Sequence, residues 1–249
     1  MIAFVGVFPL LPMILGQWLI KLAIALADTP LVYGGFICCD GNINTMLLSD
    51  PVAILDFETT GMSPDYGDRI TEVGVAVVAD GKIINTFQSL ANAGVRIPSF
   101  IEQLTGISNA MIRRAPPVAE VMAALAEFVG KMPLVAHNAS FDRKFLDAEL
   151  ARIGQQRQQE IACSVLVSRR VYPDAPSHKL VELVRYIGLP TEGVYHRALA
   201  DATMTAHLWL QMQEEIRFRY ELEAVPFRLM QNLQRIPKHK VDAYFERCR

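Results

Sequence analysis

The chain has 249 residues, a formal net charge of −2 and a hydrophobic fraction of 51 %. This length is sufficient for one large domain or two small ones with a substantial core, and the near-neutral charge gives no indication of a strongly basic nucleic-acid-binding protein. The four cysteines, Cys38, Cys39, Cys163 and Cys248, lack the spacing of a metal site or of a disulfide framework, so we expect a reducing, cytoplasmic environment.

Residues 1–26 differ from the rest of the chain because they are apolar for most of their length. The run is long enough to span a bilayer, but Pro9, Pro12, Gln17 and Lys21 interrupt it. A signal peptide is an alternative, since small residues follow the apolar run, although no basic region precedes it.

A third interpretation is that this leader does not belong to the native folded protein, because the chain from Met46 onward reads as a natural start. We favour this interpretation. It divides the chain into an apolar leader at residues 1–45, one folded domain at residues 50–217 and a helical C-terminal extension at residues 218–249. Membrane association is expected only if the leader is retained.

The folded part begins with three β-rich segments. Residues 52–57 form a continuous apolar run, which is typical of a buried strand. Residues 69–92 contain two β-rich runs on either side of Asp80-Gly81, a dipeptide that favours a tight hairpin.

Helices and strands alternate in the residues that follow. Short helical pieces at residues 98–117 end at a pair of prolines, and a helix at residues 118–129 is closed by a glycine. A short buried strand at residues 133–137 precedes a helix with Ser140 as its N-cap and Gly154 after its end. The later segments are a strand that turns into a helix at residues 160–172 and amphipathic helices at residues 178–189 and 197–218. This order predicts an α/β fold in which helices flank a mixed sheet.

The C-terminal extension is rich in basic residues from Arg228 onward. We interpret it as a solvated terminal helix. The alternative is a basic extension that contacts nucleic acid or a partner.

Two acidic residues, Asp56 and Glu58, stand at the end of the first predicted strand. Because a strand alternates its faces, positions two apart point to the same side, and their carboxylates would repel each other. They are either solvated residues where a strand ends or ligands of a metal ion. A single Asp-x-Glu pair is expected by chance about once in a chain of this size, so further residues have to decide.

Three further residues could supply the partners. Asp142 lies in the first turn of the helix after residues 133–137, a position that acids commonly occupy. His196 precedes the last predicted helix, and Asp201 lies near its start. Taken singly, His196 would be an ordinary loop histidine and either acid a cap. Asp201, however, has small or apolar neighbours, which is costly for a charge without compensation.

In this order, the segments DFETTG, HNASFD and HRALADA resemble the motifs of the DEDDh 3′→5′ exonucleases, the family of the epsilon proofreading subunits and ribonuclease T. The resemblance covers most of residues 50–215, and IEQLTGIS at residues 101–108 adds a fourth match. His196 fits the H-x4-D spacing of this branch before Asp201, whereas Tyr195 does not fit the Y-x3-D spacing of the sister branch. The resemblance implies a ribonuclease H-like fold with a mixed five-stranded sheet flanked by helices.

The resemblance also implies an enzyme that hydrolyses phosphodiester bonds at the 3′ end of single-stranded nucleic acid and releases nucleoside monophosphates. Asp56 is expected to bridge two Mg²⁺ ions, with Glu58 and Asp201 completing one site and Asp142 supporting the other. Mn²⁺ is expected to replace Mg²⁺. His196 is expected to act as the general base on the attacking water.

Residues near these motifs are expected to contact the substrate. Leu104, Thr105 and Ile107 would pack near the last base, although Leu104 and Ile107 fit a plain core almost equally well. Thr59 and Thr60 either place the terminal nucleotide or only form a turn. Stacking contacts tolerate any base, so little sequence specificity is expected. The expected substrate-binding residues are Phe57, Thr59, Thr60, Leu104, Thr105, Ile107, His137, Asn138 and Phe141.

Several functional alternatives stay open at this point. DNA is favoured as the substrate over RNA, with an RNA 3′-trimming enzyme as the alternative within the same family. A DNA polymerase or a second copy of the chain would be the protein partner. An inactive nucleic-acid-binding module on the same fold is a further alternative, but such a module is expected to lack part of the acidic set, which is complete here.

Overall fold

A computed structural model of the protein describes residues 50–190 and 196–248. The apolar leader, the expected start at Met46 and the side chain of Tyr195 lie outside the described residues. Within the described ranges, no helix is both long enough and apolar enough to cross a membrane.

The described chain forms a five-stranded mixed sheet, which confirms the expected fold class. Along this sheet the strands follow the spatial order β3-β2-β1-β4-β5. β1 pairs antiparallel with β2 and parallel with β4, so β1 is central and its carboxyl end lies beside that of β4. The other neighbours, β2 with β3 and β4 with β5, pair antiparallel and parallel, respectively. The strands are β1 (Val52–Thr59), β2 (Ile70–Ala79), β3 (Lys82–Leu90), β4 (Leu134–Ala136) and β5 (Ile161–Cys163).

The turn between β2 and β3 confirms the hairpin prediction. Asp80 and Gly81 have φ angles of 51° and 74°. A two-residue type I′ turn requires positive φ at both central positions, and the Asp-Gly dipeptide tolerates this conformation well. The dipeptide therefore fixes the register between the two strands.

Helices cover both faces of the sheet. They are α1 (Ser99–Thr105), α2 (Asn109–Ile112), α3 (Val118–Val129), α4 (Ala139–Arg152), α5 (Ser164–Val171), α6 (Leu180–Tyr186), α7 (Ala198–Tyr220), α8 (Phe227–Leu233) and α9 (Val241–Glu246), with short 3-10 helices at Pro64–Tyr66 and Lys238–Lys240. The prediction of Ser140 as the N-cap of α4 is wrong. Asn138 takes that place in a left-handed conformation with φ of 76°, which asparagine adopts more readily than most residues.

The central strand β1 separates two apolar cores. Val52 and Ile54 belong to the core that α5 to α9 share, whereas Leu55 and Phe57 belong to the core built with α3 and α4. Because side chains alternate along a strand, the residues that follow Ile54 by two and four positions point toward α7. These two residues are the acids of the first sequence motif.

The C-terminal residues are packed against the domain, so the expectation of a solvated terminal helix is wrong. Leu233 of α8 and Phe245 of α9 are buried in the core that α7 also lines, and Tyr220 stacks on Phe245 with ring centroids 4.1 Å apart. The sequence pattern misled because the basic residues are exposed, as at Lys238 and Lys240, while the fewer apolar residues face inward.

Candidate active site

The first two acids lie side by side at the carboxyl end of β1. Asp56 and Glu58 are half-buried, and each is opposite a β2 residue, Gly74 and Glu72 respectively. The ladder between the two strands shifts by one residue directly after Glu58. Such irregularities commonly lie beside active sites, where they redirect side chains.

The third acid, Asp142, reaches this position from α4. The N–H groups of alternate β1 residues point toward β4, as the Ala53 N–H does when it donates to the Pro133 carbonyl. Because β4 ends at Ala136, the Phe57 N–H lacks a strand partner, and Asp142 Oδ1 accepts it at 3.2 Å. This hydrogen bond holds the buried Asp142 carboxylate against the strand that carries the first two acids.

The fourth acid and the histidine come from the start of α7. His196 precedes the helix with a left-handed φ of 60°, and Asp201 lies in its first turn. Ligand atoms of Glu58, His196 and Asp201 all lie within 4.8 Å of one another. The structure therefore brings together side chains that are separated in sequence by more than a hundred residues.

Burial and mutual repulsion raise the pKa values of the acidic cluster. Burial, followed by the charges of Asp142, Asp201 and Glu58, raises the pKa of Asp56 well above its usual range. Burial and the charge of Asp201 raise the pKa of Glu58 to about 8.

The pKa values of the other two acids, Asp142 and Asp201, are also raised. Burial raises the pKa of Asp142 to about 7 against the lowering effect of the Phe57 N–H, and burial raises the pKa of Asp201 to about 6. A cation that enters such a cluster lowers its electrostatic free energy, because it offsets the repulsion among the carboxylates. The donor set, carboxylate oxygens with one imidazole nearby, suits a hard divalent cation such as Mg²⁺.

The residues expected near the terminal base divide between surface and core. Leu104 is 51 % exposed on α1, whereas Thr105 and Ile107 are buried, and Ile107 packs with Ile97 and Ile112. Thr105 and Ile107 make their contacts within the protein, and packing of either residue near the terminal base stays a prediction. Thr105 Oγ1 donates to the Ile101 carbonyl at 2.9 Å.

The two threonines after β1 are used in the turn that follows. Thr59 Oγ1 donates to the Gly61 carbonyl at 2.6 Å, and Thr60 Oγ1 accepts from the Arg69 N–H at 3.0 Å. Both side chains are buried, which favours the alternative in which they form the turn. Contact with a terminal nucleotide stays a prediction for them.

Four more expected contacts lie around the acids. The Phe57 side chain is buried in the core, so only its backbone N–H faces the cluster. Phe141 is half-buried against Phe145, with ring centroids 5.0 Å apart, and Asn138 is exposed. His137 uses both ring nitrogens within the chain, at 2.9 Å from Ser164 Oγ and from the His178 carbonyl, and burial lowers its pKa to about 4.

Sequence reasoning missed two residues beside the cluster. Glu72 is a fully buried acid in the otherwise uncharged strand β2, and Arg197, the residue directly after His196, forms an ion pair with it. A charged residue within the run ITEVGVAVV was the available signal, because a buried carboxylate requires a partner.

Comparisons with known proteins agree with this geometry. The exonuclease family model RNase_T matches residues 53–209. The chain is 35 % identical over 187 residues to the 3′-5′ exonuclease DinG of Bacillus subtilis, a match that covers 75 % of this chain and 19 % of DinG. It is 34 % identical over 175 residues to the DNA polymerase III subunit epsilon of Aquifex aeolicus, which covers 70 % of this chain and 86 % of that subunit.

A solved structure shows the same fold. Exonuclease X in complex with 5′ overhanging duplex DNA is 26 % identical, has a TM-score of 0.57, and the match covers 74 % of this chain and 99 % of that one. Against longer relatives the coverage is small, since the chain spans between 12 and 19 % of the length of the PolC-type DNA polymerases and DinG that it matches first.

Proposed function

The chain belongs to the DEDDh exonuclease family, and from this premise we propose that it hydrolyses single-stranded nucleic acid from the 3′ end, with DNA as the preferred substrate. The products would be nucleoside monophosphates. One observation carries the proposal: four carboxylates and one histidine from three distant segments meet at the carboxyl end of β1. An inactive binding module would have no need to keep all five together.

The acidic cluster is the proposed cation site. Asp56, Glu58, Asp142 and Asp201 would hold Mg²⁺, and Mn²⁺ would replace it because both ions prefer oxygen ligands. When two such ions are bound, they supply an activated water and stabilise charge on the leaving oxygen. The raised carboxyl pKa values support this assignment, because burial and mutual repulsion outweigh the lowering effect of the nearby Arg197 on the pKa of Glu58.

His196 is the proposed general base. Its side chain is exposed at the edge of the cluster, close to Glu58 and Asp201, so it can meet a water molecule that approaches the terminal phosphodiester. The water oxygen would bond to phosphorus as its proton passes to the imidazole, and the bond from phosphorus to the 3′ oxygen would break. That oxygen leaves on the shortened strand and takes up a proton from solvent.

The preference for DNA rests on relatives rather than on a contact. The epsilon subunit of a DNA polymerase covers most of this chain's folded part, and the PolC-type relatives are also DNA polymerases. RNA trimming is the alternative substrate class. A DNA polymerase or a second copy of the chain is the proposed protein partner.

The test uses the full chain with 5′-labelled single-stranded DNA and RNA of one sequence, in Mg²⁺ and in EDTA. The expected result is a ladder that shortens from the 3′ end, runs faster on DNA and disappears in EDTA. Asp56→Asn should abolish the ladder, whereas the matched control Asp174→Asn, at an exposed aspartate outside the cluster, should retain it.

The other outcomes are equally informative. Faster cleavage of RNA would replace the DNA preference by the RNA-trimming alternative. No ladder on either substrate, from folded protein with Mg²⁺ present, would overturn the catalytic proposal and leave the binding module.

A further inference from the structure

The strongest unexplained feature beside the site is the buried carboxylate of Glu72. Glu72 is 0 % exposed and lies directly opposite Glu58 in the β1–β2 ladder. Its oxygens accept from Arg197 Nη2 at 2.7 Å and Nε at 3.0 Å, from the Ala198 N–H at 3.1 Å and from Gln88 Nε2 at 2.8 Å. Three of these four donors belong to the two residues that follow His196.

A second, independent contact joins the same two elements. A Cβ atom added at Gly74 would lie 2.2 Å from the Ala198 carbonyl carbon and 2.2 Å from the Leu199 nitrogen. The first turn of α7 therefore rests directly on the backbone of β2. Only glycine permits this approach, because any side chain would push the helix away.

We propose that Glu72 and Arg197 act together as positioning residues that hold His196 and Asp201 opposite Glu58. This inference rests on the proposed function. Glu72 fixes the side chain of Arg197, which directly follows His196, and the Arg197 carbonyl accepts the Asp201 N–H at 3.0 Å, so the pair is linked to the backbone of both functional residues. β1 carries Asp56 and Glu58, and its neighbour β2 holds the start of α7 through Glu72. The pairing of these two strands therefore sets the position of the strand acids relative to His196 and Asp201.

His196 has a strained backbone conformation that requires support from neighbouring residues. Its φ of 60° lies in the left-handed region, which costs free energy for a non-glycine residue and persists only where the surroundings impose it. The residue directly after it is clamped by two hydrogen bonds to Glu72, and the helix amide of the next residue is bound by the same carboxylate. The clamp thus fixes the chain immediately after the strained position.

Charge explains why a glutamate alone would not serve. Glu72 is close enough to repel Asp56, Glu58 and Asp201, and its charge contributes to the raised pKa values of all three carboxyl groups. The Arg197 guanidinium offsets this charge, and its two parallel hydrogen bonds to the carboxylate fix the orientation of the Arg197 side chain. Lysine could supply the charge but not the two parallel hydrogen bonds.

The first test compares steady-state kinetics of Glu72→Gln, Arg197→Met and Arg197→Lys. We expect kcat to fall about 100-fold in the first two variants, the cost of a misplacement near 1 Å, with KM nearly unchanged. Arg197→Lys should recover part of the loss. The double variant should lose no more than the worse single variant, because both substitutions remove one interaction.

The matched control is a second buried ion pair among the described residues. Glu149 is 1 % exposed and pairs with Arg69 through two contacts at 2.6 and 2.8 Å, and it lies on α4 rather than at the start of α7. Glu149→Gln should lower the melting temperature about as much as Glu72→Gln but leave kcat of the folded fraction within about threefold. Equal loss of kcat in the two variants, or wild-type kcat in Glu72→Gln, would overturn the proposal.

A second readout does not depend on activity. Amide hydrogen exchange at Ala198 and Asp201 should become faster in Glu72→Gln, while exchange within β1 stays as in the parent protein. Unchanged exchange at both amides would overturn the positioning role. If the parent protein degraded neither DNA nor RNA, the exchange result would still decide whether Glu72 holds the start of α7, so the two failures are distinguishable.

Discussion

At the scale of single residues, the five cluster members differ in their access to water. His196 is exposed, whereas Asp56, Glu58 and Asp201 are half-buried and Asp142 is buried. A base that takes a proton from an incoming water has to face solvent, while carboxylates that hold cations function better in a shielded position. The exposure pattern therefore supports different roles for the imidazole and for the acids.

Replacing His196 tests its role directly. We expect His196→Ala to lower kcat by about 10²- to 10⁴-fold, the usual contribution of a general base, with little change in melting temperature because the side chain is exposed. Tyr195→Phe is the neighbouring control and should keep its activity, as its spacing to Asp201 predicts. Activity of His196→Ala within about threefold of the parent would exclude the histidine as the base.

Leu104 and Ile107 should respond in opposite ways to the same substitution. Leu104→Ala removes an exposed side chain, so we expect a higher KM for oligonucleotides and an almost unchanged free energy of unfolding. Ile107→Ala leaves a cavity in a buried cluster and should cost about 2–5 kcal/mol of that free energy. Urea titration together with oligonucleotide kinetics separates the two effects. A KM unchanged by Leu104→Ala would remove Leu104 from the substrate contacts.

At the scale of elements, the site is assembled where β1, β2, α4 and α7 converge. β1 carries two acids, α4 supplies Asp142 through a hydrogen bond to β1, and α7 is seated on β2 at Gly74. Each helix is thus attached to the strand pair by both polar and packing contacts. Moving one helix would separate cluster members without unfolding the sheet.

The contact at Gly74 gives an element-scale prediction. Gly74→Ala should displace the first turn of α7, cost about 1–3 kcal/mol of stability as overpacking does, and lower kcat by more than tenfold. Gly81→Ala is a suitable control: it is strained by a φ of 74° but meets no atom within 4 Å. It should therefore lose stability but not kcat. A fully active Gly74→Ala protein would show that the helix start tolerates displacement.

Features set by neighbouring residues could be predicted from the sequence. The strand before Asp56, the turn at Asp80 and the order of the acidic motifs follow from local patterns and spacing. For Ile107 the sequence left a buried and a substrate-facing position open, and the pairing of Glu72 with Arg197 could not be predicted. The latter pair is 125 residues apart, and only the folded sheet brings its members together.

At the scale of the whole molecule, we expect the acidic cluster to make stability depend on pH and on cations. The pKa values of Glu58 and Asp142 in the folded state, about 8 and about 7, exceed the ordinary values of 4.5 and 3.8. The folded state consequently binds more protons than the unfolded state between these limits, and the free energy of unfolding falls as pH rises through them. His137 acts in the opposite direction, but only between its folded pKa of about 4 and 6.5.

The informative window therefore lies between pH 6.5 and 8. In EDTA, we expect the melting temperature to fall across this window, and Glu58→Gln should reduce the slope. Mg²⁺ at about a hundredfold excess over its Kd should restore about 2.7 kcal/mol at pH 8. Differential scanning calorimetry measures both effects. A melting temperature that stays level in EDTA, or that Mg²⁺ does not raise in the parent protein, would contradict the cation site.

The short length of β4 determines where an insertion in the chain would disturb the site. Because β4 stops at Ala136, the sheet has a gap beside the last residues of β1, and the Asp142 carboxylate occupies a position where strand backbone would otherwise lie. The opening thus results from the early end of β4 rather than from an added loop. We therefore expect an insertion between Ala136 and Asp142 to move this acid away from the Phe57 N–H, whereas an insertion in the β2–β3 turn would leave that hydrogen bond in place.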